Sequence, residues 1–368
     1  MVLLLTFLLT YLLNLGNEAA DADSIVSSLC YAYHRSCVSS NSLCIPLVGV
    51  EKSKFYLRRD VELLLNQIDI SITEDLLSLY DIDWKMLKSK NIICNFTLVD
   101  HNALASKACN HINYNNLDEL IIEILDHHEG IPHTYSLTTS PSYLLTYLDM
   151  NQYNHIASSN RLIGYDSIKK TPTVASTCTI ISEKISLESN QLNPYYDDIR
   201  YLLTGVIGLD TLNMDAGIKK GTPRDDAAYN YCSNYMHSPP NKYINRDKLY
   251  KILSEAKNDR EFWRSLKVAD AVALDYKVFP VSKNRNIGIS AMLLPLQEFL
   301  THESMKELLS YMNNEGLILY AIMTSYNNAE SRSSSDSTDT NSLTETLKKQ
   351  VFTSLITIYS LKYLPTHS

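Results

Sequence analysis

Through the first half of the chain, apolar runs of strand length alternate with amphipathic stretches of helical period. Leu43 to Val50, Ile92 to Val99, Leu120 to Leu125 and Thr173 to Ile180 read as strands, with Ser24 to His34, Val61 to Gln67 and Thr73 to Leu79 as crossover helices. That rhythm predicts an α/β fold with a mainly parallel sheet flanked by helices. Ahead of it, Met1 to Leu13 (MVLLLTFLLTYLL) is almost wholly apolar and has two readings. As the central region of a secretory signal it lacks Lys, Arg and a small-residue cleavage site, and it is short of the ~20 residues of a membrane span. As a buried first strand it leads into the Gly16-Asn17-Glu18 turn and supports the acidic motif that follows. We adopt the strand, and with it a cytoplasmic protein without stable membrane insertion.

Periodicity breaks between Asp215 and Arg246, where Gly217, Gly221, Pro223, Pro239 and Pro240 fall among polar residues. This predicts a first domain over 1–222, a linker over 223–245 and a smaller α+β domain over 246–368. In the latter, Asp247 to Ala256 and Glu261 to Leu266 read as helices, and Tyr276 to Val281, Ile287 to Ile289, Leu317 to Ile322 and Val351 to Tyr359 as strands. Ala329 to Ser342 (AESRSSSDSTDTNS) is too polar to offset its ordering entropy and is expected to be a disordered loop.

A chain of 368 residues with 45% hydrophobic residues can bury two cores. Its net charge of -8 opposes collecting nucleic acid or phosphate chains over the whole surface, so no nucleic acid partner is expected. Any polyanion must be received at a local site. The seven cysteines include no CxxC pair and suit reduced thiols. Cys30, Cys37 and Cys44 have no zinc-finger partners and read as packing residues.

Four clusters could carry chemistry. In Asn17-Glu-Ala-Ala-Asp21-Ala-Asp23-Ser24, two carboxylates at a strand-to-helix turn can aim at one point, as hard divalent cations require; the same residues also suit an ordinary helix N-terminus. Asp100 directly follows the Ile92 to Val99 strand, and Asp126-His127-His128 closes the next one, where Asp126 could orient an imidazole. Asp210 ends the apolar run from Leu202, against the helix dipole if that run is helical. Each is commonplace alone. Strand ends are also where open α/β sheets bind ligands, so the four are expected to converge on one edge. Arg58-Arg59 reads as a solvated helix start, while Lys283 and Arg285, near Lys277, read equally as a basic groove or a surface loop.

Taken in order, Asp-x-Asp, Asp, Asp-His-His and Asp resemble the motif series of the DHH phosphoesterase family. Leu15 to Leu29 is similar to the exopolyphosphatase and prune branch. Arg246-Asp-Lys-Leu-Tyr, Trp263-x-x-Leu266, Asp275-Tyr276-Lys277-x-Phe279 and Ile287-Gly-Ile-Ser290 resemble the DHHA2 domain, also found in manganese-dependent family II pyrophosphatases. The resemblance implies metal ligands Asp21, Asp23, Asp100, His127 and Asp210, with Asp100 bridging two Mn²⁺ or Mg²⁺ ions. It further implies substrate contacts from Asn17, His128, Lys277 and Lys348. Asn17 stands where the pyrophosphatases carry a ligating His, which favours an exopolyphosphatase acting on polyphosphate. Thr346-Leu-Lys348-Lys-Gln350 aligns loosely with the pyrophosphatases' Ser-Arg-Lys-Lys-Gln and lacks the Arg. Pyrophosphate or another short phosphate chain is the alternative substrate, and a prune-like interaction protein the alternative of another class.

Overall fold

The computed structural model describes residues 10–39, 43–114, 116–129, 156, 160–188, 195–234, 242–282, 285–299, 302–324 and 355–360. They divide into two compact units, one ending at Lys257 and the other beginning at Asn258. The first runs β1 (Thr10–Leu15), α1 (Ala22–Val38), β2 (Leu43–Val48), α2 (Arg59–Asn66), β3 (Leu77–Ser78), α3 (Trp84–Ser89), β4 (Ile93–Val99), α4 (Ser106–Ile112), β5 (Ile121–Asp126) and β6 (Arg161–Ile163). A short β7 (Tyr165–Asp166) to β8 (Thr171–Pro172) ribbon precedes α5 (Thr177–Glu188), α6 (Tyr195–Asp210), α7 (Pro223–Cys232) and α8 (Arg246–Lys257).

Among the described residues, six strands form one sheet in the order β3-β2-β1-β4-β5-β6, every pair parallel. Parallel strands need crossovers, and helices cover both faces. Leu13, Leu15, Phe96, Leu98 and Ile124 pack with Trp84 and Ile112 of α3 and α4; Val48, Val99 and Leu125 pack with α1, α5 and α6 on the other side. β1 is thus the buried centre of the sheet and takes up the end of the apolar run read as a strand; residues 1–9 of that run lie outside the described residues. The chain winds outward from β1 to β2 and β3, then returns to β4 on β1's other side. The switch point lies between β1 and β4, the place where such sheets receive ligands.

Three expectations fail here. Thr173 to Ile180, rich in β-branched residues, is not a strand: α5 starts at Thr177, its first amide donors taken by the carboxylate of Asp23. Thr73 to Leu79 is a turn leading into β3, held by the Asp75 carboxylate accepting from Ser71 N at 2.8 Å. The predicted linker contains α7, with a Thr222/Asp225 capping box and buried Ala228, Tyr229 and Cys232. Helix α8, predicted to open the second domain, packs through Leu249 and Leu253 into the first unit's core. Apolar spacing on both helices outweighs the Gly and Pro residues around them.

All seven cysteines are free thiols; five are buried, while Cys37 is exposed rather than packed. Among the described residues no helix is long and apolar enough to cross a membrane.

The second unit holds α9 (Arg260–Ser265), α10 (Val268–Ala273), β9 (Tyr276–Ser282), β10 (Arg285–Met292), α11 (Leu296–Phe299), α12 (His302–Asn314), β11 (Leu317–Thr324) and β12 (Leu355–Ser360). Its mixed sheet has the order β12-β11-β10-β9. Gly288 lets the ring of Tyr320 close on β10, where any Cβ would collide, and the Ser290 hydroxyl bonds to Val272 O and to the Tyr320 hydroxyl. The Ala329 to Ser342 segment and Lys348 lie outside the described residues.

A close approach at the end of β2 bears directly on the site. A Cβ at Gly49 would run into the backbone carbonyl of Asn17. Gly49→Ala is therefore expected to destabilise the protein by about 1–3 kcal/mol through overpacking. An unchanged denaturant midpoint would contradict this packing of the β1 and β2 ends.

Candidate metal centre

The loop after β1 turns sharply at Ala20, whose φ of 47° is left-handed and unfavourable for a residue with a Cβ. Two side chains hold it there. Asn17 Oδ1 accepts from Ala19 N at 2.9 Å and Ala20 N at 3.0 Å. Buried Arg58 donates to Ala19 O and Ala20 O at 2.5 and 2.6 Å, so this residue, expected on a solvated helix start, is an interior brace. Asp21 then caps α1 through Ser24 N at 3.0 Å, and Asp23 sits buried in its first turn.

Asp100 follows β4 in the left-handed region, φ 63°, its amide bound to Leu125 O. Its carboxylate is 2% exposed. Oδ2 accepts from Asn17 Nδ2 at 2.8 Å, and Oδ1 from Thr177 Oγ1 at 3.2 Å. Asn17 Nδ2 also donates to Asp100 O at 3.1 Å, so both amide protons and both sites on Oδ1 are engaged within the chain. Asn17, expected beside substrate, is placed to aim Asp100.

The imidazole of His127 joins these carboxylates: Nε2 is 3.3 Å from Asp100 Oδ1 and 3.5 Å from Asp23 Oδ2. Donor atoms ~2.1 to 2.6 Å from a shared ion, at right angles, stand ~3.0 to 3.7 Å apart, so this spacing suits a divalent cation. Asp100, His127 and His128 each offer a ligand atom, all within 4.8 Å of one another. His128 differs in that its Nδ1 is taken by Asp126 Oδ1 at 2.8 Å, which leaves Nε2 as its outward atom. Asp126 is fully buried and also accepts from His127 N, His128 N and Asn102 Nδ2. It orients the histidine pair as expected of it.

Asp210 reaches the same cluster from the last residue of α6, not from a strand end. Its Oδ2 is buried and has no hydrogen-bond partner among the described residues. Burial first, then the charge of Asp23, push its pKa up to about 7, against the opposing pull of Lys257. Burial likewise raises Asp100 well above the usual carboxylate range, reinforced by Asp23 and Asp21. A cluster of carboxylates that resists ionising in the bare protein, with one oxygen unpartnered, fits a site whose counter-charges are cations. Burial would lower the His128 pKa, but its hydrogen bond to Asp126 and the charges of Asp100 and Asp126 raise it; Asp126 is lowered correspondingly against its own burial.

Of the residues the sequence singles out, the structure places Asp23, Asp100, His127 and His128 beside one another, with Asp21 near enough to raise Asp100 through its charge. The sequence reading missed Ser176 and Thr177, hidden in a run that looked like a strand, and Arg58. Lys277 lies on β9 in the second unit, with an exposed side chain.

No family model matches the chain. Curated relatives do: human "Exopolyphosphatase PRUNE1" is 25% identical over 293 residues, 79% of this chain and 54% of that protein, and the mouse counterpart 26% over 319 residues, 86% and 60%. A Schizosaccharomyces pombe protein provisionally named an exopolyphosphatase is 35% identical over 115 residues, 31% of this chain and 28% of its own length. The chain is thus similar in sequence to proteins named exopolyphosphatases, the mammalian prune proteins among them. It spans little more than half the length of the mammalian relatives. Its fold is shared by a Methanococcus jannaschii protein provisionally assigned to the family II inorganic pyrophosphatases. That structure has a TM-score of 0.51 at 20% identity, over 86% of this chain and 84% of the other.

The shifted groups fix the sign of a pH effect in the metal-free protein. Asp100 and Asp210 are raised on folding, so each stabilises the fold below the unfolded carboxylate range and loses that contribution as pH rises through the folded value. His128, also raised, acts in the same sense. Metal-free protein should therefore melt at lower temperature at about pH 8 than at about pH 6, with saturating Mn²⁺ removing the difference. A metal-free melting temperature that rises with pH over this range would contradict the buried cluster.

Proposed function

We propose that the chain is a two-metal hydrolase of phosphoanhydride bonds, most specifically an exopolyphosphatase releasing terminal phosphate from polyphosphate. The observation that carries this reading is the convergence of buried Asp23 and Asp100 on His127 at the switch point of the sheet, with Asp210 within the field of Asp23. The similarity to proteins named exopolyphosphatases in human and Schizosaccharomyces pombe supports it. In this reading Asp21, Asp23, Asp100, His127 and Asp210 hold two divalent cations, with Asp100 between them. The bound ions would supply a nucleophile at neutral pH and neutralise phosphate charge.

The chain's own residues do the rest. Asn17 and Thr177 fix the Asp100 carboxylate, and Asp126 sets the His128 tautomer with the proton on Nδ1. Its raised pKa lets His128 carry a second proton on Nε2 and donate it as a hydrogen bond to a phosphate oxygen. Lys277 and Lys348 are assigned to the phosphate chain.

Phosphate release measured across chain lengths, with Mn²⁺, with Mg²⁺ and with neither, tests the proposal. Long polyphosphate should be the better substrate, and activity should vanish on chelation. Preference for pyrophosphate would indicate a pyrophosphatase, and metal binding without turnover an interaction protein. Asp100→Ala should lower turnover by at least about 10²-fold while the protein remains folded by circular dichroism. Near-parent turnover with metal present would remove Asp100 from the centre. Lys277→Ala should lower kcat/KM without changing Mn²⁺ affinity, and an unchanged kcat/KM would exclude it from substrate handling.

A further inference from the structure

We infer that the start of α5, anchored by the buried carboxylate of Asp225, is the element that orients the carboxylates of Asp23 and Asp100 toward the cations. The inference rests on the two-metal reading above. Asp23 Oδ1 accepts twice, from Ser176 Oγ at 2.7 Å and Cys178 N at 2.9 Å, whereas Oδ2 accepts once, from Thr177 N at 2.7 Å. Oδ2 is therefore the oxygen with an acceptor site to spare, and it is the one 3.5 Å from His127 Nε2. At Asp100 the same helix start acts again through the Thr177 hydroxyl, which binds Oδ1 opposite the Asn17 amide on Oδ2. Ser176, Thr177 and Asp23 are all buried, so water cannot replace these donors.

What holds the helix start is Asp225, fully buried on α7. Its carboxylate accepts from Ala175 N at 3.1 and 2.9 Å, Thr179 Oγ1 at 2.6 Å, Thr222 N at 2.8 Å and Thr222 Oγ1 at 2.7 Å. The single proton of the Thr222 hydroxyl has Thr173 O, at 3.0 Å, as its alternative acceptor. Thr222 and Asp225 lie just beyond the segment that leaves Asp210. One carboxylate thus ties α7 to the helix start serving Asp23 and Asp100. Capping α7 alone would require only the bonds from Thr222; those from Ala175 and Thr179 reach a different helix.

Mn²⁺ titration calorimetry on the full chain, with phosphate release from polyphosphate as a second readout, tests this with a pair of opposed substitutions. Thr177→Val keeps the shape and removes the hydroxyl; Thr177→Ser keeps the hydroxyl and removes a methyl. Positioning predicts that Val weakens Mn²⁺ affinity about 10-fold while Ser stays near the parent. A purely structural role predicts the reverse order, because Ser leaves the cavity. Asp225→Asn should also weaken Mn²⁺ affinity about 10-fold. Should it not fold, the Thr177 pair decides. Arg224→Gln breaks the exposed pair with Glu183 and a bond to Thr173 Oγ1, neither of which touches the Asp225 carboxylate, and should leave Mn²⁺ affinity unchanged. Parent-like affinity in both Thr177→Val and Asp225→Asn, with the parent binding Mn²⁺, overturns this inference alone. A parent that binds no Mn²⁺ overturns the two-metal reading and this inference with it.

Discussion

Gathering carboxylates out of water is the constraint around which the first unit is arranged. Asp23 and Asp100 are 3% and 2% exposed, and Asp210 ends a buried helix within their field. A single buried charge costs several kcal/mol, and like charges nearby add to that cost. The fold offsets part of it with oriented donors: three from the start of α5 to Asp23, and the Asn17 amide and Thr177 hydroxyl to Asp100. The positive end of the α5 dipole points the same way. Asp210 receives no such donor among the described residues, and this residual charge is what a cation would satisfy.

Holding such a cluster requires rigid surroundings, and the sheet provides them. β1 lies between β2 and β4 with apolar layers on both faces, so the loops at its carboxyl end start from fixed points. The loop from Asn17 to Asp21 is then braced from two sides, by Asn17 itself and by Arg58, which makes the left-handed Ala20 tolerable. Strain and buried charge sit together at one place, which is common where stability is traded for chemistry.

The parts legible from sequence were those with local signatures. Strand-length apolar runs located β2, β4 and β5 to within about two residues, and the acidic and His residues that follow them stood out by contrast. The Thr222-x-x-Asp225 capping box was equally local, but the Gly and Pro residues around it suggested a linker. Arg58 looked solvated because an Arg in a polar neighbourhood usually is; only the fold of the preceding loop shows its guanidinium two carbonyls to bind.

The sequence by itself determined the kinds of groups present and their order along the chain: the strands, the residues that follow them, and the absence of an overall basic surface. Those depend on short-range periodicity and composition. Tertiary structure alone decided how they meet. Asp210 arrives from a helix end, Asn17 turns its amide to Asp100, and Thr173 to Ile180 becomes the start of a helix because Asp23, about 150 residues earlier, accepts its amides. Such hydrogen bonds link residues far apart in the chain, and no local pattern records which acceptor a donor will find.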